Sequence, residues 1–180
     1  NMVFITFRFR DVFDIMKELN ISTRPDGITS RFNPESEIRV HKSTKIEENC
    51  GFFGGNQLPS LGFMSYSWSP LEDYVSVGRY SSIAGGVKFG GYRHPVEWVT
   101  TSPLTYDKNL GMNNEFQKLS GTESLTYGRP PQPNRDISIG NDVWIGTDVS
   151  INRGIEICDG SVVAAKSVVT KSFPPYSIIG

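Results

Sequence analysis

Residues 139 to 174 fall into consecutive sixes: Ile139-Gly140-Asn141-Asp142-Val143-Trp144, Ile145-Gly146-Thr147-Asp148-Val149-Ser150, Ile151-Asn152-Arg153-Gly154-Ile155-Glu156, Ile157-Cys158-Asp159-Gly160-Ser161-Val162, Val163-Ala164-Ala165-Lys166-Ser167-Val168 and Val169-Thr170-Lys171-Ser172-Phe173-Pro174. The first place is always β-branched: Ile139, Ile145, Ile151, Ile157, Val163 and Val169. The second is mostly small: Gly140, Gly146, Asn152, Cys158, Ala164 and Thr170. A repeat of six does not suit an α-helix, where six steps turn the chain by about 240° and scatter the branched residues over three sides. It suits a short extended piece followed by a tight bend, with the branched side chain inward and the small residue letting neighbouring backbone come close. Bends of this kind wind the chain into a prism of parallel strands, with stacked coils about 4.8 Å apart and aliphatic side chains along the axis.

Working back along the chain, the same phase holds in Val77-Gly78-Arg79-Tyr80-Ser81-Ser82, Ile83-Ala84-Gly85-Gly86-Val87-Lys88 and Phe89-Gly90-Gly91-Tyr92-Arg93-His94. Leu61-Gly62-Phe63-Met64-Ser65-Tyr66 adds a unit, and Val40, Ile46, Phe52 and Leu58 keep the spacing with weaker small positions. Residues 95–136 break it. This polar stretch, with Pro130, Pro131 and Pro133, reads as a long loop excursion of the kind that repeat proteins gather on a binding face. Residues 1–36 read as an N-terminal appendage capping one end of the coil. Within it, Val12, Ile15, Met16 and Leu19 make one apolar helix face between Asp11 and Asn20. Val3, Ile5, Phe7 and Phe9 alternate as in a strand, and Thr23-Arg24-Pro25-Asp26-Gly27 is a turn. The division is therefore 1–36, then 37–180 with its inserted loop.

Composition narrows the function. The 180 residues carry 18 Lys+Arg against 19 Asp+Glu, which argues against a strongly basic nucleic-acid binder. Gly 18 and Pro 11 favour turns over long helices. No apolar run approaches the roughly 20 residues of a membrane span, and no leader stands out, so a cytoplasmic location is the expectation. With His 2, a multi-histidine metal centre is hard to build, and no metal is expected.

The run Tyr92-Arg93-His94-Pro95-Val96-Glu97-Trp98-Val99-Thr100-Thr101-Ser102-Pro103, between Val77–Ala84 and Ile139–Gly146, resembles the xenobiotic and chloramphenicol-type branch of the hexapeptide-repeat acyltransferases. Sugar O-acetyltransferases of polysaccharide clusters look similar. The resemblance covers about residues 58–180. It implies an all-β chain wound as a left-handed parallel β-helix, a handedness the repeat alone does not yield and that departs from the usual crossover rule. It also implies a homotrimer with sites between subunits, acetyl-CoA as donor, and His94 as the base that deprotonates an acceptor hydroxyl. Members of the family run on past the equivalent of Ile179-Gly180 into a Gly-Asn-Pro segment and a helix.

The chemistry matches the residue type. A hydroxyl must lose its proton as it attacks a thioester, and an imidazole, with an ordinary pKa of about 6.5, is largely neutral at pH 7. Glu97 is a nearby carboxylate that either orients His94 or faces solvent. Tyr80, Tyr92 and Trp98 either wall the acceptor pocket or pack. By the resemblance, Gly146, Ala164 and Ala165 lie along the groove for the pantetheine arm. Lys166 and Lys171 meet CoA phosphates or simply solubilise coil corners, and Pro174-Pro175-Tyr176 lies where the nucleotide end rests. The first expectation for the acceptor is a sugar of a surface polysaccharide or its precursor. The alternative is a hydroxylated antibiotic such as chloramphenicol or a streptogramin.

Other readings were weighed. A covalent route through Cys50 or Cys158 needs an activated thiol, yet Cys158 occupies a turn position and Cys50 has no evident base. A γ-type carbonic anhydrase needs three His ligands. A structural β-helix would show a regular polar ladder, and an inactive binding module keeps the fold without the chemistry. His41 has no such context and reads as structural.

Overall fold

The computed structural model describes residues 4–91, 93–121, 127–130 and 134–180. The chain divides into two compact units, Asn1–Gly90 with Asn134–Gly180, and Gly91–Pro133.

In the first unit the chain visits three parallel sheets in a constant order. Trp144–Ile145, Ser150–Ile151 and Glu156–Ile157 lie in three different sheets; Val162–Val163 returns to the first and Val168–Val169 to the second. Partners sit 18 residues apart, three sixes per circuit: Ile145 beside Val163, Ile151 beside Val169, Ile139 beside Ile157. Each two-residue strand places one side chain out and the next in, because successive residues of extended chain face opposite ways. Hence Ile145, Ile151 and Ile157 are fully buried, and Val163 and Val169 nearly so. The earlier repeats stack on these. Ile83 pairs with Ile145 and Ser67 with Ile83, so the coil continues across the insertion.

The small second place is a packing requirement. A Cβ on Gly62 would stand 2.5 Å from the carbonyl carbon of Gly78, and one on Gly78 would stand 2.6 Å from the oxygen of Gly140. Glycine at these coil contacts removes the clash. The fifth place carries a second device, a column of buried serines. Ser65 Oγ donates to Gly78 O at 2.7 Å and accepts from Ser81 N at 2.8 Å. Ser81 Oγ repeats the pattern, donating to Gly140 O at 2.8 Å and accepting from Val143 N at 3.0 Å. Each hydroxyl thus satisfies a carbonyl and an amide of the next coil. Ser81→Ala is expected to destabilise the chain by about 1–3 kcal/mol, since it strands buried polar groups. Urea unfolding measures it, and an unchanged midpoint would assign those groups other partners. Across the outer surface, Glu47 takes a bidentate ion pair from Arg79 and the Phe63 amide, and these hold its carboxyl down at about 2.

Residues 4–36 belong to the same compact unit as the coil. Phe4–Arg8 pairs antiparallel with Glu37–His41, and Ile21–Ser22 joins the coil in parallel with Cys50-Gly51. Phe9, Met16 and Phe32 enter the same buried cluster as the coil's aliphatics. Arg31 reinforces the join, donating to the carbonyls of Phe52, Gly54 and Gly55. The expected helix is shorter than Asp11 to Asn20: a 3-10 turn, Phe9–Asp11, precedes α1, Phe13–Glu18. Of its apolar face only Met16 is buried, while Ile15 is exposed.

The second unit begins at Gly91 and ends at Pro133, close to but not at the expected 95–136. It is not only loop. A 3-10 turn, Pro103–Thr105, is followed by α2, Met112–Ser120, which Gly121 ends in the left-handed region at φ 65. Asn113 is buried at the start of α2, its side-chain amide donating to Asp107 O at 2.7 Å.

Candidate active site

The local chain around His94 is shaped by its turn residues. Pro95 is buried and restricts His94 to extended backbone. Seven residues on, Ser102 stands in β conformation before the 3-10 turn and its hydroxyl accepts from Leu104 N at 3.3 Å. That turn delivers Tyr106 back to the His94 ring. His94 Nδ1 lies 2.9 Å from the Thr101 carbonyl oxygen and 2.8 Å from the Tyr106 hydroxyl. A carbonyl oxygen only accepts, so the contact assigns the proton to Nδ1 and leaves Nε2 with a free lone pair. The ring is exposed and opens on a hollow of about 680 Å³ whose wall also carries Arg93, Tyr106, Asp107 and Arg129. An exposed imidazole with one nitrogen tied and the other without a partner among the described residues is suited to take a proton from a ligand in that hollow.

The other sequence-derived residues distribute as follows. Glu97 places its carboxylate on Arg93 at 2.7 Å, and among the described residues the groups meeting His94 Nδ1 are Thr101 and Tyr106. Trp98 is half-buried behind Tyr106, their rings edge to face at 6.4 Å, and it is not among the residues lining the hollow. Tyr80 belongs to the first unit, exposed at a corner with φ 60 and its ring edge-on to Phe63. Tyr92 lies outside the described residues. Gly146 is buried, and a Cβ there would stand 2.6 Å from Ala165 N, so its smallness serves coil packing. Ala164, Ala165 and Lys166 form an exposed corner with Lys166 at φ 65; Lys171 is exposed, its ammonium 5.3 Å from the Phe173 ring centre. Sequence reasoning missed Tyr106 and the Thr101 carbonyl. The signal that was available is Ser102-Pro103, turn chemistry that brings the chain back toward His94.

The thiols are poor nucleophiles. Burial, then the Glu47 charge, pushes Cys50 up to about 12, and its Sγ donates to Glu47 O. Cys158 is also pushed up, by desolvation and then by Glu156 and Asp159. His41 binds Ser43 Oγ at 2.6 Å and packs edge-on to Phe4, a structural setting. Among the described residues no cluster of three or more His, Cys, Asp or Glu could hold a metal ion, and no helix is long and apolar enough to cross a membrane.

Comparison with known proteins gives consistent matches. The bacterial transferase hexapeptide (six repeats) pattern matches residues 136–171. A probable macrolide acetyltransferase of Lysinibacillus sphaericus is 38% identical over 111 residues, 60% of this chain and 56% of its own. A chloramphenicol acetyltransferase of Morganella morganii is 36% identical over 133 residues, 72% of this chain and 58% of its own. The chain thus spans a little over half the length of these curated relatives. A solved hexapeptide-repeat containing acetyltransferase from Vibrio cholerae covers 92% of this chain and 71% of its own, with a TM-score of 0.41 and 17% identity.

Proposed function

We propose, on the premise that this chain belongs to the bacterial hexapeptide-repeat transferases, that it is an acetyl-CoA-dependent O-acetyltransferase acting on a hydroxylated xenobiotic. The observation that carries the reading is the His94 ring, tied at Nδ1 to Thr101 and lining a ligand-sized hollow. Sequence reasoning placed a saccharide acceptor first. The names of the relatives, macrolide and chloramphenicol acetyltransferases, favour the antibiotic-type alternative, and that order is reversed here. Acetyl-CoA, when bound, supplies an activated acetyl thioester. His94 Nε2 takes the proton of the acceptor hydroxyl as its oxygen forms the ester bond, and returns it to the sulfur as the carbon–sulfur bond breaks. Such general-base help is worth about 10² to 10⁴ in rate. Ala164 and Ala165 fit the donor's arm to the extent that methyl side chains leave backbone reachable, with Lys166 and Lys171 as cations for phosphate.

The reading includes a left-handed coil, a homotrimer and a cytoplasmic setting. One feature of the coil supports self-association. Strand register sets the outward residues Ile178, Val162, Trp144, Ser82 and Tyr66 side by side along one sheet. Ile178, Trp144 and Tyr66 are exposed, whereas another sheet presents Glu156, Ser138 and Ser76 in the same row. An apolar row on one face alone fits burial against further copies of the chain.

Thiol release from acetyl-CoA, measured with chloramphenicol, a macrolide, a streptogramin and a panel of sugars, tests the function. Turnover is expected with at least one antibiotic, at kcat/KM about tenfold or more above any sugar. Preference for a sugar would restore the saccharide reading, and no transfer to any hydroxyl would leave a binding module.

A further inference from the structure

We infer that Tyr106 is a positioning residue for His94, accepting from Nδ1–H and steadying the charged ring that forms when Nε2 takes up a proton. This deepens the proposed function and rests on its reading of His94 as the base. Two oxygens meet one nitrogen: Thr101 O at 2.9 Å and Tyr106 Oη at 2.8 Å from Nδ1. That nitrogen has one site in the ring plane, filled by a proton or by a lone pair. With a lone pair there, Tyr106 donates to it, but the Thr101 carbonyl then faces it lone pair to lone pair. With a proton there, both oxygens accept, and neither contact repels. The Thr101 carbonyl therefore selects Nδ1–H, and the phenol, able to donate or accept, accepts from the same proton. The phenol adds something the carbonyl alone does not. When Nε2 takes up a proton the ring becomes a cation, and hydrogen bonds from a charged donor are stronger than neutral ones. Tyr106 thus favours the charged ring that forms during transfer over the neutral ring before it.

The phenol is itself fixed in place. The Trp98 ring stands edge to face with it at 6.4 Å. Behind Trp98 lies Gly128, where a Cβ would collide with the indole, and the Gly128 amide donates to Thr105 O at 2.8 Å, beside Tyr106. Glycine at 128 lets Trp98 sit close enough to back Tyr106. The order of support runs from Gly128 through Trp98 and Tyr106 to His94, all within one compact unit.

Tyr106→Phe removes one oxygen and leaves the ring. We expect kcat to fall about tenfold with both KM values within about twofold, the signature of an interaction that strengthens only as charge develops. In ¹⁵N-labelled protein at a pH where the ring is neutral, wild-type His94 should show a protonated Nδ1 and an unprotonated Nε2. Tyr106→Phe should leave both signals in place, because the Thr101 carbonyl that selects the tautomer remains. In the His94→Ala background the Tyr106→Phe change should have no further effect on residual transfer, because the phenol acts through the imidazole. A KM change with kcat intact or an equal loss in the His94→Ala background would each overturn the inference and make Tyr106 a pocket wall only, and a shift of the ¹⁵N signals to the other tautomer would overturn it by taking tautomer control away from the carbonyl. Full activity in His94→Ala alone would instead overturn the reading of the base on which it rests.

Discussion

His94→Ala is expected to lower kcat about 10² to 10⁴-fold while leaving the fold intact. The ring is exposed and its hydrogen-bond partners among the described residues are a carbonyl and a phenol at the surface, so its removal opens no cavity in the core. Stability should stay within about 0.5 kcal/mol of wild type, as for surface substitutions away from buried features. The KM for acetyl-CoA should change little, since the residues assigned to the donor sit on the coil corner at Ala164–Lys166. Steady-state thiol release and urea unfolding on the same preparations separate chemistry from folding. Activity within a fewfold of wild type would remove His94 from the reaction and shift attention to other protonatable groups on the hollow, Asp107 first. His94→Gln is a sharper variant. It keeps a polar side chain of similar reach but lacks a nitrogen that takes up a proton at neutral pH, so it should be nearly as impaired as alanine.

The winding of the chain was legible because the first place of each six from residue 139 on does one job throughout, and the fifth shares it in the first three. Ile139, Ile145, Ile151, Ile157, Val163 and Val169 are all buried, as are Val143, Val149 and Ile155. The corner rule went unread, although the residues that write it were in view. In eight of the units the fourth place adopts positive φ: Met64, Tyr80 and Gly86 in the earlier coils, then Asp142, Asp148, Gly154, Gly160 and Lys166. Asp and Gly are at home there, because a short polar side chain or none relieves the clash of a left-handed residue. Tyr80 and Lys166 are not favoured types, and reading them as ligand contacts diverted attention from their place in the turn. The join between the N-terminal residues and the coil was illegible for another reason. Ile21–Ser22 makes a parallel pair with Cys50-Gly51 without any sixfold repeat around it, so nothing local marks it as part of the coil. At the site, His94 stood out by its motif. Its partners did not, because one is a backbone carbonyl and the other lies 12 residues away across a turn. Helix α2 was hidden by composition: Met112–Ser120 has three polar residues in its first turn and only Gly121 as a stop signal.

The coil itself makes the strongest stability prediction, and two adjacent residues test it. Ile157 is fully buried, pairs with Ile139 and bridges Phe173, whereas Glu156, one residue earlier on the same short strand, is exposed. Ile157→Ala should cost about 2–5 kcal/mol, the transfer term plus the cavity left in an axis that stacked coils keep rigid. For a chain of this size that is a fall in Tm of about 5–15 °C. Glu156→Ala should stay within about 0.5 kcal/mol, since it points to solvent from the polar face of the prism. The contrast follows from the period of two within a strand and the period of six between strands, so it depends on the register and not on residue type alone. A one-residue slip would place residue 156 inside and residue 157 outside, and the two substitutions would then exchange their effects. Equal small effects would mean that Ile157 is not in a packed axis at all, and the parallel coil would have to be abandoned for residues 139–173.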